Sequence, residues 1–248
     1  YASAFYALSV LPEDFHEWEY LANSRTPGAY NKIVKGNADI IFVAQPSGGQ
    51  KKRAEESGVT LIYTPFAREA FVFIVNVDNP VNSLTEQQVR DIFSGAITNW
   101  RTVGGNDQEI QTWQRPEDSG SQTVMQSQVM KNVRMISPQE TEVASMMEGM
   151  IKVVAEYRNT NNAIGYTFRY YATQMNADKN IKLLAINGIA PTAENIRNGK
   201  YPYIVDAFMV TRENMTSETQ KLVEWFLTPQ GQSLVEDVGY VPMYKTLH

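Results

Sequence analysis

The 248-residue chain contains no cysteine, which excludes disulfides, thiolate nucleophiles and cysteine-ligated zinc or iron–sulfur centres. Histidine is almost as scarce. His16 and His248 lie at opposite ends of the sequence with no helical spacing between them, so a histidine-built metal site is excluded too. No EF-hand-like spacing of carboxylates takes their place, and no metal or other cofactor is expected. Basic residues are outnumbered, 22 Lys and Arg against 27 Asp and Glu, for a formal net charge of -5. With no long basic run to release counterions from a phosphate backbone, nucleic acid is not an expected partner. No apolar stretch is long enough to cross a bilayer. The chain opens on Tyr1 without a Met, a charged n-region or an apolar h-region, which reads as the start of a processed or trimmed chain. What remains suffices for a folded protein: 43% hydrophobic, 11% aromatic and 20% charged residues, enough apolar material for one large domain or two lobes of ordinary size.

Periodicity and punctuation give the organisation. Residues 37–44 (NADIIFVA) and 70–77 (AFVFIVNV) are apolar runs expected as buried strands, the second bounded by Asp78, Asn79 and Pro80. Val89, Ile92 and Phe93 fall at helical spacing, Thr85 with Gln88 forms a capping-box pattern, and Gly95 is placed to stop that helix. A longer stripe follows in Val143, Met146, Met147, Met150, Ile151 and Val154, whose methionines are expected as core filler rather than cofactor ligands. Residues 159–162 read as a polar turn, and 163–166, 181–186 and 207–210 as strands. Ser217 with Gln220 is expected to cap a helix presenting Leu222, Val223, Phe226 and Leu227 on one face. Pro229 and Gly231 interrupt it before a last helix with Leu234, Val235 and Val238, stopped at Gly239. Such alternation predicts an α/β architecture with mostly parallel sheets and helices on both faces.

The chemistry concentrates at residues 115–122, Arg-Pro-Glu-Asp-Ser-Gly-Ser-Gln, which lead into a helical pattern over 123–130. A Ser-Gly-Ser helix start gathers backbone N–H groups and two hydroxyls at the positive end of the helix dipole, a cradle for an oxyanion. Arg115 can add a planar fork of donors matched to two oxygens of a tetrahedral anion. The plainer reading is that Ser119 or Ser121 caps the helix while Arg115 pairs with Glu117 or Asp118 at the surface. Serine nucleophiles are disfavoured, since neither serine sits in a G-x-S-x-G context and only the two terminal histidines could serve as base. A G-x-x-x-x-G-K-[ST] phosphate loop is absent. Gly48-Gly49 and Gly104-Gly105 read as turns, with Trp100 and Trp113 beside the second as packing residues.

Larger blocks then carry a resemblance. Val75-Asn76-Val77-Asp78-Asn79-Pro80-Val81, Leu84-Thr85 through Ile92-Phe93-Ser94-Gly95, Ile97-Thr98-Asn99-Trp100 and Val103-Gly104-Gly105 resemble, in order and spacing, the PstS-type phosphate-binding proteins of bacterial ABC uptake systems. Arg115 with Ser119-Gly120-Ser121, Ala163-Ile164-Gly165-Tyr166, Pro191-Thr192-Ala193-Glu194-Asn195-Ile196, Gly199-Lys200-Tyr201-Pro202 and Gly239-Tyr240-Val241-Pro242 continue it. The resemblance implies a two-lobed α/β periplasmic-binding-protein fold of the second type, with a ligand cleft between lobes made of residues 1–70 plus 198–248 and of 71–197. It implies that Arg115, Ser119, Gly120 and Ser121 contact phosphate, joined by Thr26 and Ser24 from a hydroxyl loop and by Gln45, which stands near where many members carry an aspartate.

The expected function is capture of an oxyanion, inorganic phosphate, outside the cytoplasm. The chain would deliver it to a membrane permease as a monomer, without catalysis, and would meet the membrane only through a lipid anchor. The family's first strand and its donor loop are not found before Phe5, so the chain is expected to begin within the first helix. Two alternatives stand beside this reading: a signalling or interaction module that keeps the fold with weak or no anion binding, and an anion-recognising hydrolase.

Overall fold

The computed structural model describes residues 24, 26–117, 119–138, 147–156, 162–175 and 177–247. The chain divides into two compact units, one of Tyr1–Arg68, Asp118–Gly120 and Val205–His248, the other of Glu69–Glu117 and Ser121–Ile204.

In the first unit, helix α1 (Thr26–Val34) places Ala29, Tyr30 and Ile33 on one face, and this stripe packs on Ile41 and Val43 of strand β1 (Ile40–Val43) and on Val210. Strand side chains alternate, so Phe42 points to the opposite face. It makes edge-on contacts with Phe66 (5.5 Å) and with Phe226 (5.2 Å). The strand is thereby covered on both faces. Phe66 lies on the long strand β2 (Leu61–Asn76), whose first part belongs to this unit. Phe226 ends a helix, Ser217–Phe226, that follows strand Ile204–Arg212; the chain closes with helix Pro229–Val238 and the short strand Val241–Pro242. Gln232 is fully buried and uses its whole carboxamide. Nε2 donates to the carbonyls of Phe66 (2.9 Å) and Phe226 (2.8 Å), and Oε1 accepts from the backbone of Met243 and Tyr244, both at 2.9 Å.

The second unit is built on the rest of β2, where residues 70–75 are buried without a break. It pairs antiparallel with β5 (Ala163–Phe168), Phe71 opposite Phe168 through Val75 opposite Ile164. A continuous apolar run is what a strand covered on both faces requires. Strand β3 (Ser83–Leu84) leads to helix α3 (Glu86–Ser94), which has its capping box on Thr85 and Gln88, buries Val89, Ile92 and Phe93, and ends at Gly95 in the left-handed conformation. Strand β4 (Gln111–Thr112) lies parallel to β5 on its other edge. Helix Met147–Glu156 buries Met150, Ile151 and Val154; the expected stripe members Val143 and Met146 lie outside the described residues. Gly165 on β5 admits this helix, since a methyl group there would run into Met150 Sδ and crowd Val154.

Several expectations are corrected. The paired strands are mainly antiparallel: strand Ile204–Arg212 with β1, and β5, strand Ile181–Leu183 and strand Val241–Pro242 each with β2. Parallel pairing occurs at β4 with β5 and at β3 with strand Ala185–Ile186. Alternation of helix and strand signals does not fix direction, and β2, sixteen residues long, recruits antiparallel partners along its length. The expected strand 181–186 is two, Ile181–Leu183 and Ala185–Ile186, with separate partners. Gly48-Gly49 is the first turn of helix α2 (Gly48–Glu56), capped by Ser47, rather than a loop turn. The cap of helix Ser217–Phe226 is Thr216, whose hydroxyl accepts from Thr219 N; Thr219, Val223 and Phe226 form its buried face while Leu222 is exposed.

Candidate functional site

The β4–β5 ladder prepares Arg115. Gln111 and Thr112 pair with Ala163 and Ile164, and Trp113 N–H still donates to the Ile164 carbonyl at 2.9 Å. Two residues on, the backbone leaves the pattern. Arg115 N–H donates to the Tyr166 hydroxyl (3.1 Å) and to Gln122 Oε1 (3.3 Å), so side chains replace the sheet just before Pro116. Tyr166 in turn hydrogen bonds to Gln122 Oε1. Burial pushes the Tyr166 phenol far above its ordinary range, opposed weakly by Arg115, so the ring stays neutral. Its place is set by Phe71 (5.4 Å) and Phe93 (5.6 Å). Arg115 itself is 8% exposed; Asp118, one of the two carboxylates in the plainer reading, lies outside the described residues.

Helix α4 (Gly120–Val124) begins within the Ser-Gly-Ser block and widens into a π-helical segment, Met125–Met130. Ser119 is a half-buried bend residue ahead of it. Ser121 is 2% exposed and among the described residues its hydroxyl has no hydrogen-bond partner, so it caps none of the described N–H groups of the helix. An orphaned buried hydroxyl costs about 1–3 kcal/mol, which is tolerated where a ligand completes it. In the first unit, Gly120 is buried beside Thr26 and Ala44: a methyl group at Gly120 would stand 3.3 Å from Thr26 Oγ1 and 3.5 Å from Ala44 Cβ. Thr26 starts α1 and is half-buried, Gln45 stands two residues beyond the end of β1 and is half-buried, and Ser24 is exposed with its side chain against Gly28. Thus Thr26, Ala44 and Gly120 come together within one unit, and Arg115, Gln122 and Tyr166 within the other.

Sequence reasoning missed Gln122 and Tyr166 as supports of Arg115, although both stood inside quoted blocks. Glu69 was missed altogether. It is 2% exposed, accepts from Ala70 N (2.7 Å) and Tyr170 N (3.0 Å), and burial pushes its carboxyl up to about 7 against the pull of those donors and of Arg169. Trp100 is buried and donates from Nε1 to the Asn162 carbonyl at 2.8 Å, a packing role as expected. Among the described residues no group of three or more His, Asp or Glu side chains could hold a metal ion, and no helix is long and apolar enough to cross a membrane.

A family model described as a PBP superfamily domain matches residues 18–230. The chain belongs to the PBP superfamily. Its architecture is accordingly a mixed α/β periplasmic-binding-protein-like fold. This PBP superfamily member is 27% identical over 209 residues to the phosphate-binding protein PstS of Bacillus subtilis, spanning 84% of this chain and 64% of the relative, just under two thirds of its length. To PstS of Borreliella burgdorferi it is 26% identical over 220 residues, 86% of this chain and 74% of the relative. These relatives are named as binding proteins, not enzymes. Among solved structures, an ABC transporter substrate-binding protein of Clostridium perfringens with bound phosphate superposes with a TM-score of 0.71 at 24% identity, over 87% of this chain and 84% of the other.

Proposed function

We propose that this chain is an extracytoplasmic solute-binding protein for an oxyanion, inorganic phosphate, which it hands to an ABC-transporter permease. The observation that carries the reading is Ser121: a buried hydroxyl with no partner among the described residues, next in sequence to Gln122, which holds the backbone of a buried arginine. A tetrahedral anion supplies the missing acceptor for Ser121 and a bidentate partner for the Arg115 guanidinium. Ser119, Gly120, Thr26, Ser24 and Gln45 are proposed as further contacts. Neutral donors can hold an anion without a formal excess of positive charge, so a net charge of -5 is no obstacle. The relatives named as phosphate-binding proteins and the phosphate-bound neighbour support the choice of ligand.

Replacing Arg115 tests it. Arg115→Ala is expected to weaken phosphate binding by about 2 kcal/mol, the range of a hydrogen bond to a charged group, and Arg115→Lys to restore only part, since an ammonium lacks the planar fork. Unchanged calorimetric titrations in both variants, with native circular dichroism, would remove Arg115 from the site.

A further inference from the structure

We propose that Tyr166 and Gln122 are positioning residues for Arg115: together they substitute for the sheet at the point where the chain leaves β5, and so fix the backbone from which the guanidinium projects. The inference rests on the reading of Arg115 as an anion contact. Its structural half stands independently.

The hydrogen-bond pattern has one consistent direction. Arg115 N–H can only donate, so the Gln122 atom facing it is the carbonyl Oε1; the flipped amide would set two donors against each other. Oε1 can only accept, so Tyr166 gives its hydroxyl proton to Gln122 and keeps its lone pairs for Arg115 N–H. The three groups close a small cycle in which every member is satisfied. All three residues are buried, and the Tyr166 ring cannot swing away because Phe71 and Phe93 hold it. The cycle also joins sequence-distant parts. Arg115 follows β4, Gln122 lies in α4 one residue after Ser121, and Tyr166 is on β5. In the uninterrupted ladder Arg115 N–H would continue the series begun by Gln111 to Asn162 and Trp113 to Ile164; the hydroxyl of Tyr166 takes it instead, which releases the backbone into the Pro116 turn without orphaning the donor.

The test is a double-mutant cycle read twice. Tyr166→Phe removes the central hydroxyl while keeping the ring. Phosphate affinity by calorimetry is expected to fall about tenfold, the effect of one buried hydrogen bond. In an Arg115→Ala background the same change is expected to leave phosphate affinity where Arg115→Ala alone puts it, while still lowering the melting temperature. A residue with a merely structural role would lower affinity equally in both backgrounds, and that result would overturn the inference. Phosphate binding by Tyr166→Phe at the parent's affinity, with Arg115→Ala impaired, would overturn it as well and leave the phosphate reading standing. The second readout is amide hydrogen exchange at Arg115. Protection in the parent and its loss in Tyr166→Phe are expected; equal protection in the two proteins sinks the positioning role. If the parent binds no phosphate the functional reading falls, and the exchange measurement still decides the positioning.

Discussion

Glu69 makes stability fall as the solution becomes more alkaline, the reverse of the usual carboxylate. Burial holds its carboxyl at about 7 in the folded chain, against 4.5 for the exposed group. A folded-state value above the unfolded one means that the native protein binds the proton more tightly. The associated stability is complete below about 4.5 and is lost as pH rises through about 7. At about 1.4 kcal/mol per pH unit the displacement corresponds to about 3 kcal/mol between the two ends of that window. Two backbone donors and the charge of Arg169 pull the other way, and Tyr170 is the neighbouring phenol whose own ionisation Glu69 opposes. The assay is urea unfolding at pH 4.5, 5.5, 6.5 and 8 for the parent and for Glu69→Gln, whose side chain cannot titrate. The absolute stability of the variant is not the readout, because its amide meets one of the two N–H groups with a donor. The difference between the two curves is: it is expected to change by about 3 kcal/mol across the series and to level off above pH 8. A difference independent of pH, or one that grows in the parent's favour toward pH 8, refutes the reasoning.

Two other outcomes are expected. Gln232→Leu leaves the carbonyls of Phe66 and Phe226 and the N–H groups of Met243 and Tyr244 without their shared partner, and is expected to cost about 3 kcal/mol or more in denaturant unfolding, at about 1 kcal/mol per lost bond. Ala44, which lies against Gly120, offers no acceptor for the proton that phosphate carries near neutral pH and sulfate lacks. Competition titrations at pH 7 are expected to find sulfate within about a thousandfold of phosphate, a gap under about 4 kcal/mol, and arsenate, which keeps the proton, close to phosphate. A larger sulfate gap would mean that a residue elsewhere in the site supplies an acceptor for that proton.

Local signals were legible where one residue type does one physical thing. Thr85, Gln88 and Gly95 bounded α3 as capping chemistry demands, and the apolar run at 70–77 marked the central strand. Strand direction was not legible, because an apolar run has the same composition whichever way its neighbour points. The cap at Thr216 was displaced to Ser217 for a similar reason: adjacent hydroxyl residues are equivalent in sequence, and geometry chooses between them. At the candidate site, Arg115 and Ser121 stood out by residue type, and both are buried. Their supports did not stand out. Tyr166 looks like core and Gln122 like a helix surface residue until the chain turns at Pro116 and brings the two together around Arg115 N–H. Glu69 is invisible for the opposite reason: an Arg-Glu pair in an apolar run suggests exposure, and only the strand register, with Phe71 opposite Phe168, brings Tyr170 N–H to its carboxylate.

Isothermal calorimetry of the parent chain with inorganic phosphate at pH 7 tests the central claim most directly. A saturable isotherm with one site per chain is expected, accompanied by a phosphate-dependent rise in melting temperature, since a ligand bound to the folded state alone stabilises it by mass action. No heat of binding and no shift of the melting temperature at millimolar phosphate, in a protein with native circular dichroism, would contradict the assignment of Arg115 and Ser121 to an oxyanion site.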